Sequence, residues 1–163
     1  MAALALFLAL VLAVSAGQKL VERERMAVAA GRLTGLSGAM GGVANIVAAV
    51  VEIMAALCLL VTPAQPLGGA LAGALWLAYG VTLAMRYGET LDCGCSFAAR
   101  EKPVGPFMLV RAFGLMALGF VVALSAAAPF ELVAPFAAIA FMALYLAANE
   151  LAGIVIYRKG HAA

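Results

Sequence analysis

Five long apolar stretches constrain the fold of this chain more than any other feature. Because the hydrocarbon core of a bilayer is about 30 Å thick, a helix that crosses it needs roughly 20 apolar residues. The stretches have about that length, and together they leave too few of the 163 residues for a separate soluble domain. They predict spans at about residues 3–18, 43–61, 67–88, 107–128 and 132–157. With 67% of its residues hydrophobic, the chain is predicted to be an all-α integral membrane protein, a single domain over residues 1–163 formed by a bundle of four to five transmembrane helices.

The first stretch allows two interpretations. It is short for a span, and Val14-Ser15-Ala16 is similar to a signal-peptidase site. No positive charge precedes it, however, so we interpret it as the first transmembrane helix, with Lys19 snorkelling at its end. The charged segment that follows, at about residues 20–32, alternates apolar and ionic residues and predicts a short interfacial helix.

The charged residues exclude one class of partner and predict an orientation. A net charge of +2 with scattered basic residues offers no surface for nucleic acid, so the lipid bilayer is the expected environment. All ten Lys and Arg residues lie on one side of the spans, together with a polar loop at about residues 89–106. By the positive-inside rule, that side faces the cytoplasm and the N-terminus faces out.

The polar loop contains "ETLDCGCSF", in which only Gly94 separates Cys93 from Cys95. A disulfide between such close positions closes a small, strained ring that is easily reduced and suits transfer better than cross-linking. Gly94 makes the ring feasible because it accepts backbone angles that a residue with a Cβ resists. Asp92, beside the pair, disfavours the thiolate form unless a nearby cation compensates.

Redox chemistry and metal binding both remain open for the pair on the residues alone. Two thiolates can hold a soft ion such as Cu(I) or Hg(II), whereas zinc requires four ligands. Neither Asp92 nor His161 is well placed to complete such a site, so we expect redox chemistry and no metal. Cys58, alone in an apolar span, is interpreted as a small hydrophobic residue.

An acidic residue near the middle of a predicted span requires a partner or a polar cavity, and Glu52 is such a residue. Asn45 lies two helical turns earlier, on the same face. Arg111, one turn into the fourth span, is the candidate cation for Glu52, Asp92 or Glu89. In one interpretation, Glu52 and Arg111 converge with the cysteine pair and take up and release protons during thiol oxidation. In the other, they form a structural ion pair that fixes helix register.

Four segments in this order resemble one protein family. They are "SAGQKL" at the end of the first span, "VVEIMAALCLL" around Glu52, "YGVTLAMRYGETLDCGCSF" up to the cysteine pair, and "FMLVRAFGLMAL" around Arg111. The arrangement resembles the MauE family of methylamine-utilisation membrane proteins, which is similar in turn to the wider DoxX-like group. The resemblance extends from about Phe7 to the fourth span, and the Cys-Gly-Cys motif with its preceding aspartate is its most specific part.

The resemblance implies a membrane component of a thiol–disulfide relay in the bacterial inner membrane, and hence a candidate thiol–disulfide oxidoreductase. Cys93 and Cys95 would be the exchanging pair. The implied partners are a thioredoxin-like protein similar to MauD and a disulfide-rich client, the small subunit of methylamine dehydrogenase. A membrane quinone is the candidate cofactor for recycling the pair. This role implies a periplasmic cysteine loop, opposite to the orientation that the basic residues predict.

Two other functions agree with the residues. In the first, the protein is a non-catalytic membrane scaffold that assembles partner proteins, and its cysteines are structural. In the second, it is a soft-metal carrier that binds ions through Cys93 and Cys95.

Overall fold

The computed structural model of the chain is a bundle of α-helices with one short hairpin. It describes residues 1–36, 38–91, 102–129 and 131–160. The helices are α1 (Ala2–Val21), α2 (Arg23–Thr34), α3 (Ala39–Leu60), α4 (Gln65–Met85), α5 (Pro106–Leu124) and α6 (Ala134–Gly160). A 3₁₀ turn, Thr62–Ala64, precedes α4, and strands β1 (Thr90–Leu91) and β2 (Lys102–Pro103) pair between α4 and α5. Among the described residues, five helices are long and apolar enough to cross a membrane, which confirms the predicted helical membrane bundle.

Local sequence determines where several helices begin and end. Pro66 and Pro106 lie in the first turns of α4 and α5, where a missing N–H removes no helical hydrogen bond. Gly35 ends α2 in the left-handed conformation, with φ of 76°, which glycine adopts without steric cost. The chain turns at Glu22, so α1 extends to Val21 and the short helix begins at Arg23, a few residues later than predicted.

Helix α1 lies at the centre of the bundle. It packs mainly on α3 and α6, with smaller contacts to α2, α4 and α5. Leu8 and Leu12 of α1 are fully buried, and they belong to the same core as Leu59 of α3 and Trp76 of α4. A helix in this position is an integral part of the bundle, in agreement with its interpretation as the first span.

Helices α4 and α5 approach each other most closely, through glycine. A Cβ atom on Gly119 of α5 would lie 2.7 Å from the backbone nitrogen of Gly73 and 3.0 Å from the carbonyl oxygen of Gly69. Gly69 and Gly73 are four residues apart and therefore on one face of α4. Small residues at this spacing let two helix backbones touch, which is how many membrane helices associate.

We expect Gly119→Ala to destabilise the folded protein by about 1–3 kcal/mol, because the added methyl group meets backbone atoms that cannot move aside. Gly114→Ala is the matched control on α5, since a Cβ there would have no atom of a neighbouring helix within 4 Å among the described residues. Thermal unfolding of the detergent-solubilised variants measures the difference. Equal midpoints for the two variants would show that the close α4–α5 contact is not needed for stability.

Candidate functional site

A buried ion pair joins α1 to α3. Lys19 Nζ lies 2.8 Å from Glu52 Oε1 and 3.0 Å from Glu52 Oε2. Only 7% of Lys19 and 1% of Glu52 are exposed. Glu52 lies 13 residues after the start of α3, about 20 Å along the helix axis. A lone charge at such depth in a bilayer costs about 3 kcal/mol or more, so the two residues stabilise each other as a neutral pair.

The expectation that Lys19 snorkels to the interface is wrong. Cα–Cβ bonds in a helix tilt toward its N-terminus, so a side chain near the end of α1 extends back into the bundle. The ammonium of Lys19 therefore meets Glu52 in the interior. The backbone carbonyl of Lys19 accepts a hydrogen bond from Asn45 Nδ2 at 3.2 Å, which adds a second contact between α1 and α3.

Ser15 and Tyr79 complete a polar cluster with Lys19 and Glu52. Lys19 donates to Ser15 Oγ at 2.7 Å as well as to both carboxylate oxygens, so each ammonium proton has an acceptor. Ser15 Oγ and Tyr79 Oη donate to Glu52 Oε1 at 2.9 and 3.2 Å. The ammonium also lies 5.5 Å from the centre of the Tyr79 ring, within the range of a cation–π interaction.

The polar cluster fixes three helices relative to one another. Its members come from α1, α3 and α4, and the hydrogen bonds from Ser15, Lys19 and Tyr79 to Glu52 each join two of these helices at a fixed height. A satisfied network of this kind inside a low-dielectric bundle specifies one arrangement, because a shift of one helix leaves buried polar groups unpaired. Both roles considered for Glu52 stay predictions, and these contacts support the fixing of helix register.

Arg111 and Glu52 lie on helices that are not close neighbours among the described residues. Helix α5 packs on α4 and, less extensively, on α1, whereas α3 packs on α1, α2 and α4. Arg111 Nη1 donates to Asn149 Oδ1 at 3.0 Å and so connects α5 to α6. Glu89, the other described candidate for Arg111, lies 3.4 Å from Arg86. The cation that the structure gives Glu52 is therefore Lys19.

The predicted redox residues Cys93 and Cys95, with Asp92 and Gly94, lie outside the described residues. Their segment, residues 92–101, is flanked on both sides by described residues, Leu91 and Lys102. Strand β1 pairs with β2 in antiparallel register, with Thr90 opposite Pro103 and Leu91 opposite Lys102. The segment that carries the cysteines thus leaves and rejoins the described chain at a single hairpin.

The hairpin is anchored on α4 and α5. The Gly88 N–H donates to the Val104 carbonyl at 3.1 Å, and the Val104 N–H donates to the Glu89 carbonyl at 2.9 Å. Val104 is 2% exposed and packs with Leu83 of α4 and Ala112 of α5. The base of the hairpin is therefore part of the folded core at the junction of the two closely packed helices.

Sequence reasoning identified Glu52 and Asn45 but not the partners of Glu52. One signal was available, because Ser15 and Lys19 are four residues apart and therefore on one face of the first span. A lysine and a serine on one face of an apolar helix indicate an acidic group opposite. Tyr79 had no such signal, since its contact with Glu52 depends on the packing of α3 against α4.

A comparison with protein families finds a match for the chain. The sequence profile described as methylamine utilisation protein MauE matches residues 1–126, which include α1 to α5, the polar cluster and the hairpin. No curated protein and no solved structure matches the chain. Because the match covers more than half of the 163 residues, the chain belongs to the MauE family of methylamine-utilisation proteins.

Proposed function

We propose that the protein is the membrane component of a thiol–disulfide relay, in which Cys93 and Cys95 exchange a disulfide with a thioredoxin-like partner. The observation that carries the proposal is the motif itself, two cysteines separated by one glycine in a segment whose ends form an anchored hairpin. A polar segment between two spans gives no packing reason for two sulfur atoms. A strained small-ring disulfide is suited to transfer, because strain makes it more oxidising.

The proposed reaction is an exchange that conserves electrons and protons. A client dithiol becomes a disulfide and loses two electrons and two protons, directly or through the thioredoxin-like partner. The Cys93–Cys95 disulfide takes them up and becomes two thiols. A membrane quinone then accepts two electrons and two protons from the pair and becomes a quinol, which restores the disulfide.

The client that we propose is a disulfide-rich protein of methylamine utilisation, the small subunit of methylamine dehydrogenase. This proposal rests on the family assignment and the cysteine motif together. It requires that the hairpin face the periplasm of a bacterial inner membrane, where disulfides persist. The basic residues predict the opposite orientation by the positive-inside rule.

Labelling of Cys93 and Cys95 by an impermeant thiol reagent in intact cells would support the periplasmic side, and labelling only after permeabilisation would contradict it.

Single-cysteine variants test the exchange through its covalent intermediate. In disulfide exchange one sulfur attacks and the other resolves the mixed disulfide, so removal of the resolving cysteine leaves the intermediate in place. We expect Cys93→Ser or Cys95→Ser to accumulate a reductant-sensitive adduct with the thioredoxin-like partner, visible on a non-reducing gel. Cys58→Ser is the matched control and should accumulate none, because it leaves the pair complete. Failure of both single variants to form an adduct would contradict the proposal.

A further inference from the structure

A cavity of about 150 Å³ lies between α2, α3 and α4, directly beside the polar cluster. Lys19 and Tyr79 of the cluster form part of its wall. The remaining lining comes from the three helices and includes Met26 of α2, Ala48 of α3 and Thr82 of α4. The buried ion pair is thus enclosed by protein on most sides but borders open space beneath α2.

Most of the lining of this cavity is apolar, but the cavity is large enough for water and borders several polar groups. A cavity of about 150 Å³ with a purely hydrocarbon lining stays dry, but one that offers several polar partners retains water. Each water takes about 30 Å³ in the liquid, so the space suits about five molecules. The lining supplies polar groups from Lys19, Asn45, Tyr79 and Thr82, besides Thr34.

Asn45 gives the most specific indication of bound water. Its side chain is only 3% exposed, and its Nδ2 donates to the Lys19 carbonyl. Within the described residues its Oδ1 accepts no hydrogen bond from the protein, and it is not among the fully buried side-chain atoms that lack a partner, so it keeps accessible surface. Because Asn45 lines the cavity, water there would satisfy this oxygen.

From these observations we propose that the cavity is a water-filled vestibule beneath α2, through which water reaches the Lys19–Glu52 pair from one end of the bundle. On the far side of the cluster, Leu12 and Leu59 are fully buried in the apolar core. The vestibule lies at the end that carries the hairpin, since α2 also contacts β1. Glu52 is then a site for proton exchange with that end of the bundle. This inference does not depend on the thiol relay.

Paired cysteine substitutions on α3 test the vestibule. Ala48 lines the cavity, about 13 Å along the helix from its start, whereas the adjacent Val47 is 57% exposed on the outer surface. In the full-length chain with its native cysteines replaced, kept in membrane vesicles, Ala48→Cys and Val47→Cys are treated with a charged thiosulfonate reagent. We expect Ala48→Cys to react at least about tenfold faster, because the charged reagent does not enter hydrocarbon.

A second, shallower pair gives an independent measurement if the deeper substitutions impair folding. Ala44 lines the vestibule, and its neighbour Val43 is 51% exposed on the outer surface. Faster reaction of Ala44→Cys than of Val43→Cys is expected for the same reason. Equal rates within both pairs would mean that lipid fills the cavity or that it is closed, and would overturn the proposal.

Discussion

Glu52→Ala is expected to destabilise the folded protein by about 3–5 kcal/mol, because it leaves the Lys19 ammonium buried without its counter-charge. The same substitution removes the acceptor for Ser15 and Tyr79, so the buried Lys19 and two partly buried hydroxyl groups lose a partner together. An unpaired buried charge is among the few causes of so large an effect from one substitution. Unfolding of the purified protein in a denaturing detergent series measures the loss.

Two further variants separate the buried charge from other effects of the substitution. Glu89→Gln removes a carboxylate that is half-exposed and only 3.4 Å from Arg86, and a surface pair of this kind contributes about 0–1 kcal/mol. Lys19→Met combined with Glu52→Leu removes both charges, and buried pairs replaced in this way often keep their stability. We expect both variants to remain close to the wild type. A Glu52→Ala protein as stable as Glu89→Gln would contradict the assigned ion pair.

The second large effect is expected at the cysteine pair. Cys93→Ser combined with Cys95→Ser should abolish disulfide formation in the client, because a hydroxyl group cannot form the mixed disulfide through which exchange proceeds. The client's disulfides are counted by mass after free thiols are alkylated in the cells that produce it. Cys58→Ser should leave the count unchanged, since Cys58 lies on α3 rather than in the hairpin segment.

The double variant also distinguishes the relay from a scaffold. A scaffold needs only its surface, and two serine substitutions in a polar segment leave the helix packing unchanged. Normal client maturation in the double variant, with normal amounts of the protein in the membrane, would exclude the relay and favour the scaffold. Loss of maturation at normal protein levels would support the relay.

The spans could be predicted because the bilayer imposes them. Backbone polar groups have no water partner in hydrocarbon, so each apolar stretch of about 20 residues must form a helix. The arrangement of the helices could not be predicted in the same way. Glycines on one face of a membrane helix permit close contact with some other helix, but only the structure shows that Gly119 of α5 packs against Gly69 and Gly73 of α4.

The residues of the candidate site could also be predicted only in part. Glu52 was identifiable because it interrupts an apolar run, and its cation was not. Lys19 and Arg111 each lie near the end of a span on the same side, and the sequence favours Arg111 as the candidate while it predicts that Lys19 reaches the interface. Helix adjacency decides between them, because α1 packs directly on α3 and brings Lys19 to Glu52. That adjacency depends on long-range packing, which local patterns do not contain.

We propose that Cys93 and Cys95 cycle between a disulfide and two thiols. This is tested by counting free thiols with a mass tag on Cys58→Ser protein in membranes that have been incubated with the oxidised or the reduced thioredoxin-like partner. We expect no tag after the oxidised partner and two tags after the reduced one, with full reversal on exchange of the partner. An unchanged number of tags under both conditions would contradict it.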